Sequence, residues 1–99
     1  MARYTVLIDG EAGAYGVVVP DLPGCSAMGD SIEEALSNAA DAMRDWAELS
    51  ESRGNAVPPP RPVEALRRDA DVREALAEGA TLASVPFIRE SGRPAKASL

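Results

Sequence analysis

The sequence contains no histidine and a single cysteine, Cys25. Without histidine, Ser–His and Cys–His nucleophile pairs are excluded, and no Cys/His metal cluster can be drawn. A lone cysteine has no partner within the chain, so no intrachain disulfide holds the fold. No base stands near Cys25 in sequence to activate it, which makes it a small buried hydrophobe rather than a reactive thiol. Long apolar runs are absent too. The opening Met1-Ala2-Arg3-Tyr4 lacks the apolar stretch of a signal peptide and no segment is long enough to span a bilayer, so no membrane role is expected and the cytoplasm is the expected compartment. Basic residues are in deficit: ten Lys and Arg face sixteen Asp and Glu, a net charge of −6. An acidic surface repels phosphate, so the body of the protein suits a basic protein partner better than nucleic acid. The deficit is uneven. Residues 1–60 carry ten acids against three bases, residues 61–99 six acids against seven bases.

What is present suffices for one modest core. Ninety-nine residues make a single domain, and a hydrophobic content of 45% is that of a folded protein. Tyr4 to Ile8 and Tyr15 to Val19 are β-branched and aromatic runs joined by a short Gly-containing stretch, the pattern of a β-hairpin. Pro20 ends the second strand, and Pro20-Asp21-Leu22-Pro23-Gly24-Cys25 predicts a shaped loop. Ser26 to Gly29 has room for a short third strand.

Ser31 and Glu34 have the spacing of a capping box, and a helix is predicted from about Ser31 to Arg53, with Gly54 as its stop. Ile32, Ala35, Leu36, Ala39, Ala40, Met43, Trp46 and Ala47 recur at helical spacing as one apolar stripe, while Glu33, Asp41, Asp45 and Glu48 fall mostly off it. The four prolines in Ala56 to Pro62 predict a stiff strap across the surface. A short helical turn from Val63, a helix capped by Asp71 and stopping at Gly79, and a returning strand from Ala80 to Phe87 complete the expected order. The fold class is therefore α+β: an antiparallel-rich sheet of three strands plus a returning fourth, with one long helix on one face.

Tyr15-Gly16-Val17-Val18-Val19-Pro20-Asp21-Leu22-Pro23-Gly24-Cys25, followed by Gly29-Asp30-Ser31 and Glu34-Ala35, resembles the N-terminal domain of HicB-type antitoxins. The resemblance covers roughly residues 3–88. It implies a partial RNase H-like fold that needs no cofactor, binds a small basic HicA-like toxin and covers the active site with which that toxin cleaves RNA. Fuller members of the family carry a ribbon-helix-helix or helix-turn-helix domain behind this one, which binds DNA. Here residues 1–88 are expected to be the toxin-binding domain. Residues 89–99 are expected to be a mobile tail, either complete in itself or the start of a DNA-binding domain, with Arg93 and Lys96 as candidate phosphate contacts. DNA is thus a partner only if a longer chain supplies that domain. A homo-oligomer, dimer or tetramer, is expected.

The toxin-binding residues are expected in two places. One is the rigid loop, at Asp21, Leu22 and Pro23, where pre-organisation lowers the entropy cost of binding. The other is the acidic helix face, at Asp41, Asp45 and Glu48, which complements a basic partner. Trp46 lies on the apolar stripe and is expected to pack in the core. Asp9, Asp21 and Asp30 are tested as a two-metal nuclease centre and set aside, because each stands at a strand end, turn or cap and nothing in their spacing makes them converge. No catalytic or metal-binding residue is expected. The competing class is a stand-alone RNase H-like module that binds another protein or itself through an exposed sheet edge.

Overall fold

A computed structural model describes residues 2–88. The residues from 89 onward, with Arg93 and Lys96 among them, lie outside the described residues. Four strands form one antiparallel sheet: β1 (Ala2–Glu11), β2 (Ala14–Val18), β3 (Ser26–Gly29) and β4 (Thr81–Phe87), in the order β3-β2-β1-β4. Three helices complete the order: α1 (Ile32–Ser52), α2 (Val63–Leu66) and α3 (Ala70–Ala77). The predicted class holds. Both strands of the first hairpin run further into the turn than the residue pattern suggests, because Glu11 pairs with Ala14 and leaves only Ala12 and Gly13 between them. Gly13, at φ 90°, supplies the left-handed backbone that so tight a turn demands.

The strand period of two sorts side chains onto two faces. Tyr4, Val6, Ile8, Val17, Val19, Val85 and Phe87 are buried in one cluster with Ala35, Ala39, Met43 and Ala47 of α1. The small residues at 35, 39 and 47 let the helix come close, and Met43 fills the space between them with no exposed surface. Ile32, expected on the buried stripe, is 44% exposed. It is the first helical residue, where the helix has only just left β3.

The turn into α1 explains a motif. At Gly29 an added Cβ would sit 2.4 Å from the Ala35 backbone nitrogen, so only glycine allows β3 and α1 to approach this closely. Ser31 Oγ then accepts from the Glu34 N–H at 3.0 Å, and Glu34 Oε1 accepts from the Asp30 N–H at 2.6 Å. The predicted capping box forms, with the glutamate reaching one residue further back than the motif prescribes.

On the opposite face a second, smaller cluster joins Leu7 to Leu66 of α2 and Val72 of α3. The cap of α3 differs from the expectation. Asp69, not Asp71, is the cap residue: its backbone is extended, and Asp69 Oδ1 accepts from the N–H groups of Asp71 and Val72. The helix starts at Ala70, which leaves Asp71 inside the first turn.

Candidate functional site

The loop between β2 and β3 is two consecutive turns. Val19 O accepts from the Leu22 N–H and Leu22 O from the Cys25 N–H, which places Pro20 and Pro23 each at the second position of its turn, where their fixed φ is pre-set. Gly24, at φ 85°, meets the positive value that the third position of a type II turn requires. The Val19 N–H donates to Cys25 O and closes the base of the loop. This rigidity directs Leu22 inward, and it is fully buried in the main core.

Asp21 also points inward. Its side chain is 4% exposed, and its carboxylate accepts from the Arg61 backbone N–H at 2.8 Å and from Arg61 Nε at 2.5 Å. Arg61 Nη1 in turn lies 3.3 Å from Asp69 Oδ2. One guanidinium therefore joins the loop, the proline strap and the cap of α3. Its pKa is pushed above the ordinary arginine value, first by the hydrogen bond to Asp21. The Asp69 carboxyl is held below the ordinary aspartate value, first by the hydrogen bond from the Val72 N–H. Of the three loop residues expected to meet a partner, the closed pair of turns buries Asp21 and Leu22, and Pro23 is exposed.

Pro23 leads to the helix face. Its carbonyl accepts from Trp46 Nε1 at 2.8 Å, so the half-buried Trp46 packs on the core and clamps the loop to α1. Asp41, Asp45 and Glu48 are all exposed on α1. Asp41 is ion-paired with Arg44, three residues on. Asp45 and Glu48 have no salt-bridge partner among the described residues. Asp45 lies beside the Trp46 clamp, in a shallow hollow shared with Gly24 and Leu49, and Glu48 follows one helical turn on from Asp45. Cys25 is buried, and desolvation, then the Asp45 charge, pushes its thiol pKa up, away from nucleophilic reactivity. Asp9 and Asp30 are exposed, whereas Asp21 is buried and bound to Arg61. Sequence reasoning missed Arg61 and Asp69. The Asp-x-x cap spacing at 69 was a readable signal, whereas the 40-residue separation of Asp21 and Arg61 left none.

No helix among the described residues is long and apolar enough to cross a membrane. The family model described as a HicB-like antitoxin of bacterial toxin-antitoxin systems matches residues 4–94. A UPF0150 protein of Thermoplasma acidophilum is 40% identical over 57 residues, which are 57% of this chain and 83% of that protein. Among solved structures, the antitoxin HicB of Burkholderia pseudomallei is similar with a TM-score of 0.71 at 27% identity, over 91% of this chain. The chain spans about two thirds, 66%, of that antitoxin's length. A chain from the HicA3 and HicB3 toxin-antitoxin complex is similar with a TM-score of 0.69 at 25% identity, over 85% of this chain and 95% of that one.

Proposed function

Because this chain belongs to the HicB-like antitoxin family, we propose that it binds a small basic HicA-like toxin and masks the active site with which that toxin cleaves RNA. The observation that carries the reading is the shared fold with a chain of a HicA3 and HicB3 complex, over nearly the whole of that chain. The mechanism is occlusion. A standard interface of about 1,600 Å² suffices for stable binding when it has a strong centre, and it needs no catalytic group and no cofactor.

The surface proposed to meet the toxin is Pro23 with Asp41, Asp45 and Glu48. Two features support it. The loop is already ordered by its turns and the Trp46 clamp, so little entropy is lost on binding. The carboxylates of Asp45 and Glu48 carry unmatched charge that attracts a basic protein and speeds encounter. Assembly of the antitoxin as a dimer or tetramer and a cytoplasmic location, where the toxin meets RNA, belong to the same proposal.

The test is co-purification with a small basic HicA-like protein from the same organism, followed by RNA cleavage with and without this chain. A stable complex that silences cleavage is the expected result. A folded chain that forms no complex and leaves cleavage unchanged refutes the reading and favours a module with another protein partner.

A further inference from the structure

The sheet face opposite α1 is only half covered. Leu82, Leu7, Val18 and Ser26 form one row across it, and Asp9, Gly16 and Met28 the next. The α2 and α3 helices cover Leu82 and Leu7, whereas Val18 and Met28 remain 51% and 69% exposed. At the border between the covered and bare parts runs a groove of about 440 Å³. Leu7 and Val18 form its apolar floor, and Val72 and Ala75 of α3 its wall. Asp9 of β1 and Asp71 of α3 also line it. Both are exposed, and neither has a salt-bridge partner among the described residues. Arg61, also in the lining, is held by Asp21 and Asp69 and so leaves these two carboxylates unmatched.

We propose that this groove receives an arginine or lysine side chain from a basic peptide segment of a partner protein. A long cationic side chain is amphipathic: its methylene stem covers apolar surface while its charged head stays at the polar edge. The floor of Leu7 and Val18 suits the stem, and Asp9 and Asp71 suit the head. A purely apolar occupant would desolvate both carboxylates with nothing to pair them, which is costly. A phosphate-bearing chain is repelled by them, and a second copy brings a further net charge of −6. The groove opens on the sheet face opposite α1 and meets the α1 patch only at Pro23, which belongs to both; its floor and its two carboxylates are separate from Asp41, Asp45 and Glu48.

The test is an NMR titration of the full chain, uniformly labelled with nitrogen-15, with the peptide acetyl-Gly-Leu-Arg-Leu-Gly-amide. A matched peptide carries neutral citrulline in place of arginine. The expected result is a saturable shift of the amides of Leu7, Val18, Val72 and Ala75. Affinity should fall at least about fivefold for the citrulline peptide and, with the arginine peptide, for the Asp9→Asn/Asp71→Asn double variant. Ala75→Arg fills the groove from a half-buried helical position and should abolish the shifts. Equal binding of the two peptides, no saturation by roughly 10 mM, unchanged binding by Ala75→Arg, or shifts centred on Asp45 and Glu48 would each overturn the proposal. The same resonances moving on concentration of the peptide-free protein would assign the groove to a second copy and overturn it too.

Discussion

Asp21 and Arg61 stand 40 residues apart and form an ion pair with two hydrogen bonds, one from the Arg61 side chain and one from its backbone N–H. The pair fastens the proline strap to the loop between β2 and β3, and through Asp69 to the start of α3. The aspartate is buried and the arginine is 42% exposed, so the desolvation cost falls mainly on the carboxylate, which is also the better satisfied of the two.

Asp21→Ala removes the acceptor for both bonds and should destabilise the protein by about 2 kcal/mol, within the range for hydrogen bonds to charged groups. Asp21→Asn keeps one acceptor and should cost about half as much. Urea denaturation of the three proteins checks the order; equal midpoints would show that the strap is not held by this pair.

Gly29→Ala drives a methyl group into the backbone of Ala35, where no flexible side chain can yield. Forcing β3 and α1 apart should cost about 2 to 3 kcal/mol, near the upper end for overpacked sites. Gly54→Ala, where nothing lies within 4 Å, pays only for its left-handed backbone and should cost less. Thermal melts of both variants provide the comparison.

Asp69 gives a pH dependence of defined sign. Its folded pKa is depressed below the ordinary value of 3.8, so its ionised form contributes stability above that value. The contribution is lost as pH falls from 3.8 through the lower folded value. Asp69→Asn keeps a side-chain oxygen for the cap but loses the charge. Its melting temperature should lie below that of the parent protein at neutral pH, and the gap should close as the pH falls through this window.

Leu66→Ala empties the centre of the smaller core cluster, where Leu66 has no exposed surface. A loss of about 3 kcal/mol is expected, as for other buried leucines. Hydrogen exchange should quicken most in α2 and α3, which lose their own packing, and in α1 only by as much as global stability falls. A toxin held at the α1 patch should bind this variant as before at temperatures where it stays folded.

Asp45→Lys with Glu48→Lys reverses the free charge of the proposed toxin surface. Association with the toxin should slow by at least about tenfold at low salt, and the remaining rate should depend less on ionic strength than that of the parent protein. An unchanged rate and salt dependence, measured by stopped flow, would remove the α1 patch from the interface.

Local sequence carries the elements of this fold because each depends on near neighbours. The alternation through Tyr4, Val6 and Ile8 selects a strand, Ser31 and Glu34 start a helix, and Gly54 ends it, whatever lies elsewhere in the chain. Even the loop was legible as rigid, since both prolines and Gly24 pre-set their own φ angles. What the alternation does not show is how far each face is covered. Asp21 and Leu22 looked like surface because loops usually are. They are buried because the two turns curl inward and the strap brings Arg61 to meet the carboxylate. The division of the far sheet face into a part under α3 and a bare part with Val18 and Met28 likewise follows from where a short helix lands, and no residue pattern within either strand encodes that. Sequence alone determined the elements and their caps, which are set over a few residues. Tertiary structure alone decided which acids are free to bind, because that depends on contacts between segments tens of residues apart.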